Sequence, residues 1–279
     1  MIVIDNAKDM RSRDNGKPCV LVPTMGALHA GHGKLISYGR RLAGKSGSLI
    51  VSIFINPTQF GPGEDFEAYP RTLDEDCPLC AAAGADIVFH PSVAEMYHED
   101  SPEITADTKL IKTLCGPTRP GHFDGVCTVV KRLFELVKPD IAVFGKKDYQ
   151  QLAVISRMTR ELKLPVRIIG AETMREADGL AMSSRNRYLD AEQRAQAPAI
   201  RKALLKLKED TTPETSARVK EARDIIAREA PLGTITYLQV VDRGTMQEMQ
   251  TIDRPALAAT AVCFGKTRLI DNIEIDAIT

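Results

Sequence analysis

Along roughly the first two-thirds of the chain, short apolar runs alternate with longer stretches whose apolar residues recur at helical spacing. Cys19 to Val22 reads as a strand cut off by Pro23, and a helix is expected from about Gly31 through Leu42. Ser48 to Phe54 is a continuous apolar strand of the kind buried on both faces of a parallel sheet. The loop over 61–71, polar to aromatic, reads as a mobile cover. A helix over 72–83, with Leu73, Cys77 and Cys80 on its buried stripe, leads to a strand over Asp86 to Phe89. Residues 90–121 are less regular. Phe123 to Val137 then predicts a helix whose stripe is Val126, Val130, Leu133 and Val137. Ile141 to Phe144 is the next strand, and Asp148 is placed to cap a helix running through Gln151 to Leu162. Val166 to Ile169 closes the series as a strand.

This alternation predicts an α/β, Rossmann-like doubly wound parallel sheet with right-handed crossovers, its strand C-termini gathering loops at one edge. Beyond about Met174 the pattern changes. A turn-rich segment leads into helices over 191–209 and 214–229, broken at Thr211-Thr212-Pro213-Glu214, where a threonine is available as a cap. Strand-like runs follow at Thr234 to Val241, Thr260 to Phe264 and Leu269 to Ile275. The expected organisation is a Rossmann-like domain over 1–174 and a smaller α+β domain over 175–279.

Chemistry-bearing residues concentrate after the expected strands. His29 and His32 stand where the loop after the first strand becomes a helix. Backbone N–H groups at such a helix start are aligned and favour an anion, and the macrodipole disfavours imidazolium there. Phosphate handling is the reading that fits; metal ligation is the rival, and it lacks a third ligand nearby. Gly145-Lys146-Lys147-Asp148 offers backbone access, point charge and a ribose acceptor, though a polar turn has the same composition. Met182-Ser183-Ser184-Arg185 combines hydroxyls with a guanidinium, as a pyrophosphate clamp or an ordinary turn would. Gln59 and Gln151 are amides suited to a hydroxylated organic acid.

Charge and cysteine usage narrow the classes. Lys plus Arg and Asp plus Glu both number 37, so the basic footprint that recommends nucleic acid as a partner is missing. No segment approaches the roughly 18 apolar residues of a membrane helix. The N-terminus turns charged by Asp5, unlike a secretory signal, and the cytoplasm is the expected compartment. Cys77 and Cys80 form the one C-x-x-C, without a second ligand pair at metal spacing, and read as buried small hydrophobes.

Taken together, PTMGALHAGH, SIFINPTQFGPGEDFEAYPRTLDED, RPGHFDGVCTVVKRLFELVKPDIAVFGKKDYQQL and ETMREADGLAMSSRNRYL closely resemble the pantoate–β-alanine ligase family. The resemblance covers most of residues 20–190 and continues more loosely to the end. It implies ATP-dependent condensation of pantoate with β-alanine through a pantoyl-adenylate, releasing AMP and pyrophosphate. ATP would be a substrate with Mg²⁺ held through its phosphates rather than by side chains, and no prosthetic group is implied.

Residue by residue, the resemblance implies that Met25, Gly26, Ala27, Leu28, His29, Ala30, Gly31 and His32 hold ATP, with His32 as proton donor. Gly145, Lys146, Lys147 and Asp148 would bind the nucleotide, Lys147 near phosphate and Asp148 near ribose. Met174 would lie by the adenine, and Met182, Ser183, Ser184 and Arg185 would close on the phosphates. His32, His29, Lys147, Ser183 and Arg185 are the implied catalytic set. Gln59 and Gln151 would hold pantoate, with Asn56 close by, and Gln59 would also serve β-alanine. Val126, Val129, Val130 and Phe144 look like the apolar pocket for pantoate's methyl groups. A homodimer acting on small molecules, with neither nucleic acid nor membrane as partner, is implied.

Three positions depart from the family pattern: Ala30 replaces an acidic residue, Gly33 a leucine, and Lys146 a glutamate or glutamine. Ala30 is expected to point away from the histidine face, and Lys146 to add positive charge beside the nucleotide. Two other classes remain as alternatives. A nucleotidyltransferase of the H-x-G-H type would want a basic acceptor pocket where Gln59 and Gln151 stand, and a nucleotide sensor would consume no ATP.

Overall fold

The structure, a computed structural model, describes residues 1–97 and 102–277. Within the irregular stretch 90–121, residues 98–101 therefore lie outside the described residues. In chain order the first elements are β1 (Ile2–Ile4), α1 (Ala7–Ser12), β2 (Cys19–Thr24), α2 (Ala30–Ala43) and β3 (Ser48–Ile53). They are followed by α3 (Leu73–Ala82), β4 (Ile87–Phe89), α4 (Val93–Met96), α5 (His122–Val137), β5 (Ile141–Gly145), α6 (Tyr149–Glu161) and β6 (Arg167–Ala171). The remainder is α7 (Ala191–Gln196), α8 (Ala199–Glu209), α9 (Thr215–Glu229), β7 (Gly233–Asp242), β8 (Ala256–Phe264) and β9 (Thr267–Ile275).

Strands β1 to β6 form one sheet in the order β1-β4-β3-β2-β5-β6, with every pair parallel. From β2 the chain winds outward through β3 and β4, then returns to place β5 on the other side of β2. The β2/β5 boundary is thus the topological switch point, where doubly wound sheets bind ligands beyond their strand C-termini. The loop carrying His29 follows β2, and Gly145 ends β5. Apolar β2 and β3 are almost wholly buried, and Val20, Val22, Leu49 and Val51 pack with Ile36, Ala43 and Cys80 from α2 and α3.

Pro23 does not end β2. The ladder to β3 continues through Thr24 while pairing with β5 stops at Leu21, so a residue without an N–H is tolerated there. β1 is an edge strand that the sequence pattern did not reveal, since three residues carry too little periodicity.

The chain divides into two compact units. The first comprises Met1–Asp107, Arg119–Lys146 and Gln151–Glu172; the second comprises Thr108–Thr118, Lys147–Gln150 and Thr173–Thr279. Gln150 shows why the short stretches belong with the second unit. Its buried amide accepts from Cys115 N at 2.9 Å and donates to the carbonyls of Leu110 and Thr113, each at 2.9 Å. Thr113 also donates to the Met246 carbonyl at 2.6 Å, and Leu114 N to the Gln239 side chain at 2.9 Å.

In the second unit α8 and α9 cover the antiparallel sheet β7-β8-β9. The helix expected over 191–209 is two helices, because Pro198 interrupts it at the N-cap of α8. No threonine caps α9. Glu214 is the N-cap without a side-chain bond, and Thr215 instead donates to the Met249 carbonyl at 2.7 Å. Strand β8 begins at Ala256, earlier than expected, because its alanines have little strand propensity of their own and are recruited by neighbours on both sides. Among the described residues no helix is long and apolar enough to cross a membrane.

Candidate active site

The segment between β2 and α2 takes its shape from a buried carboxylate. Gly26 and Ala27 lie in the left-handed region, with φ of 80° and 51°. Asp76, from α3 and only 2% exposed, accepts from Ala27 N at 3.0 Å and from Leu28 N at 2.7 Å. Thr72 donates its hydroxyl to the same carboxylate at 3.2 Å. A side chain at position 26 would meet Asp76 Oδ2 at 3.0 Å and Ile53 Cγ2 at 3.1 Å, so glycine is required by space as well as by φ.

Nothing local in the sequence signals this role. Asp74, Glu75 and Asp76 look like the acidic first turn any helix favours. On the same helix, Cys80 is fully buried, and Leu73 and Cys77, partly buried, pack against the same core. Burial pushes the Cys80 thiol up to about 12, as suits an inert core thiol.

His29 and His32 form a reciprocal cap on α2. His29 Nδ1 accepts from Gly31 N at 3.1 Å, and His32 Nδ1 accepts from His29 N at 3.3 Å. The rings lie 4.1 Å apart, tilted by 41°. An imidazole nitrogen that accepts carries no proton, so each neutral ring bears its proton on Nε2. Protonating either ring would break a cap bond. In the neutral form each ring therefore has an Nε2–H donor near the start of α2. Ala30 is exposed on the first turn.

Gln59 belongs to the short turn Pro57–Gln59 and is buried. Asn56 Nδ2 donates to Gln59 Oε1 at 3.3 Å and to the Gly125 carbonyl at 3.1 Å, while Gln59 Nε2 is turned to the Met25 sulfur. The turn presses so closely on α5 that a Cβ at position 125 would lie 2.4 Å from the Thr58 carbonyl oxygen. The Gln59 carbonyl is held by His122 Nδ1 at 2.8 Å and by Arg119 Nη2 at 3.3 Å. Arg119 Nη1 lies 2.9 Å from His122 Nε2 and cannot accept, so the His122 proton sits on Nδ1, the reverse of the other two histidines.

Arg119 also fastens the loop expected to be a mobile cover, gripping Glu64 with Nε at 2.6 Å and Nη2 at 2.5 Å. Phe60 packs against Phe66 and Tyr69 in the same segment. Burial pushes the Glu64 carboxyl up, but the Arg119 bonds and charge outweigh it and hold the carboxyl below its ordinary 4.5. The bond therefore stabilises the fold fully above pH 4.5 and is lost as pH falls through the lower folded value. Melting temperature should consequently drop more steeply below pH 4.5 in the native chain than in Glu64→Gln; parallel curves would contradict this.

Val126, Val129 and Val130 on α5 are 2%, 6% and 4% exposed, and Phe144 is 5% exposed, so all four are foremost core residues. Gln151 is half-buried on the first turn of α6, and its amide bonds to no other described residue. Gly145 has open space where a Cβ would project. Lys146 pairs with the exposed Glu172 at 2.5 Å.

In the second unit, Lys147 approaches Asp148 at 3.9 Å and its carbonyl accepts from Asn272 at 2.8 Å. Asp148 closes a 3₁₀ turn over Lys146–Asp148 that runs directly into α6. Met174 and Met182 face each other across a hairpin, Met182 N donating to the Met174 carbonyl at 2.9 Å. Ser183 caps the 3₁₀ turn Ser184–Tyr188 by accepting from Arg185 N at 3.3 Å, and Ser184 is buried. Arg175 grips buried Asp271 with bonds of 2.8 and 2.9 Å, anchoring the hairpin. Among the described residues no group of three or more His, Cys, Asp or Glu could hold a metal ion.

The chain resembles one family over nearly all of its length. The family model for pantoate-beta-alanine ligase matches residues 3–274. A pantothenate synthetase of Akkermansia muciniphila is 51% identical over 257 residues, 92% of each chain. One from Desulfovibrio desulfuricans is 49% identical over 262 residues, again 92% of each. The crystal structure of the Thermus thermophilus pantothenate synthetase superposes with a TM-score of 0.92 at 40% identity, covering 98% of this chain and 99% of that one. The Francisella tularensis pantoate-beta-alanine ligase, complexed with beta-gamma ATP and beta-alanine, gives 0.80 at 31% identity over 98% and 97%. The chain belongs to the pantoate–β-alanine ligase family, and its activity is that of a ligase.

Proposed function

We propose that the chain makes pantothenate in two steps, with the magnesium complex of ATP as a substrate. A carboxylate oxygen of pantoate attacks the α-phosphorus, the bond to the β-phosphate bridging oxygen breaks, and pyrophosphate leaves. The amine of β-alanine then attacks the carbonyl carbon of the pantoyl-adenylate, loses a proton, and expels AMP. Such a reaction needs positioned donors where charge develops more than it needs covalent catalysis.

The observation that carries this reading is the reciprocal histidine cap. His29 and His32 keep Nε2–H donors at a helix start, the arrangement that stabilises negative charge growing on an α-phosphate. Lys147 and the segment Met182, Ser183, Ser184 and Arg185 are assigned to the remaining phosphates, Met174 to the adenine, and Asp148 to the ribose. Gln59 and Gln151 are assigned to pantoate, with Gln59 also serving β-alanine, and Val126, Val129 and Val130 to the methyl groups of pantoate. The ATP and β-alanine complex of the Francisella tularensis relative supports both of those substrates. The family resemblance supports a cytoplasmic homodimer, so the expected mass in sedimentation is twice the 30.6 kDa chain.

The test is to incubate the protein with MgATP and pantoate and then add β-alanine. Release of AMP matched one-to-one by pantothenate is expected. ATP turnover indifferent to β-alanine would point to a nucleotidyltransferase, and no turnover at all would point to a sensor; either result would overturn the proposal.

A further inference from the structure

We propose that Tyr97 is a positioning residue for this ligase, fixing the Gln59 amide through Asn56 so that Gln59 presents an N–H donor to an acceptor oxygen of pantoate. The inference rests on the reading of Gln59 as a pantoate ligand given above.

Backbone groups establish how the Asn56 amide is turned. Its oxygen faces Thr58 N, an obligate donor, at 3.3 Å, and its nitrogen faces the Gly125 carbonyl, an obligate acceptor, at 3.1 Å. The Tyr97 hydroxyl donates to that same oxygen at 2.7 Å, with the Thr58 hydroxyl at 3.0 Å. The Tyr97 bond is the shortest of the four and comes from a different element of the fold. Asn56 is 1% exposed, so bulk solvent has little access to these positions.

The orientation passes on to Gln59. Because Asn56 Nδ2 donates to it at 3.3 Å, the inward atom of the Gln59 amide is its oxygen. The amide nitrogen is therefore the other end, beside the Met25 sulfur, and its N–H groups can recognise only an acceptor, as a hydroxyl or carboxylate oxygen of a hydroxy acid would be. Without the Tyr97 bond the Asn56 oxygen would keep only its two longer bonds from Thr58, and the Gln59 amide that Asn56 orients would be held less firmly.

Tyr97 is itself built to hold position. Its N–H bonds to the Val93 carbonyl at 2.9 Å, and Arg132 Nε bonds to the preceding Met96 carbonyl at 2.8 Å. Its ring meets Phe54 edge-on, with centroids 6.2 Å apart. Burial raises the phenol above its ordinary value, with the Thr58 hydroxyl pulling the other way, so the group remains a donor at neutral pH.

The experiment is steady-state kinetics on Tyr97→Phe, with pantoate, ATP and β-alanine varied in turn, alongside Gln59→Ala and the double variant. Loss of one charge-directing hydrogen bond predicts a fall in kcat/KM for pantoate of about tenfold, with KM for ATP and the melting temperature little changed. In the Gln59→Ala background, Tyr97→Phe should cause no further loss. Unchanged pantoate kinetics in Tyr97→Phe would overturn the proposal, as would losses that multiply in the double variant or a loss shared equally by ATP. An inactive native enzyme would instead sink the ligase reading itself, so the two failures are distinguishable.

Discussion

Replacing His32 by alanine lowers turnover by about a hundred- to a thousand-fold, the range typical when one preorganised donor is removed from developing charge. The structure separates that loss from a simpler one. His32 also caps α2, accepting from His29 N at 3.3 Å, and loss of a cap costs about 1 kcal/mol of stability. His32→Asn distinguishes the roles, because the asparagine oxygen can occupy the capping position while nothing replaces Nε2–H. Both variants should lose turnover to a similar degree, with His32→Asn recovering most of the melting temperature lost by His32→Ala. Near-native turnover in His32→Asn would reduce the residue to a helix cap.

Asp76→Ala is expected to be the most damaging change outside the proposed catalytic set. It strands the N–H groups of Ala27 and Leu28 in a buried setting and removes the partner that holds two left-handed residues in place. Leaving a buried donor unsatisfied costs roughly 1–3 kcal/mol, so a total of roughly 2–6 kcal/mol is expected for the two, together with a raised KM for ATP. Asp76→Asn keeps one acceptor oxygen and should fall between the two. Thermal unfolding and amide exchange at Ala27 and Leu28 would report the loss directly. An Asp76→Ala protein with native melting temperature and native KM for ATP would show that the loop supports itself.

These two residues mark how differently the sequence exposed its parts. His29 and His32 stand out because paired histidines at a strand-to-helix loop are unusual and chemically pointed. Asp76 does not, because an acidic residue in a first turn is ordinary and its partners lie 48 and 49 positions away in the chain. The histidine ring orientations were likewise invisible. Spacing suggested a shared face, but only the two cap bonds fix which nitrogen carries the proton.

The sequence by itself determined the fold class, the order of the longer strands and helices from β2 to β6 in the first unit, and the family. Each of those rests on local signals: apolar periodicity, strand-length runs and contiguous motifs. Tertiary structure alone decided what depends on partners distant in the chain. It continued β2 through Pro23, because pairing with β3 persists there while pairing with β5 has ended. It recruited the alanines of β8 between two flanking strands and split the helix at Pro198. It paired Lys146 with Glu172 and tied the loop at Glu64 to Arg119. It also set the Gln59 amide through Asn56 and Tyr97, residues three and 38 positions away whose hydrogen bonds no local pattern encodes.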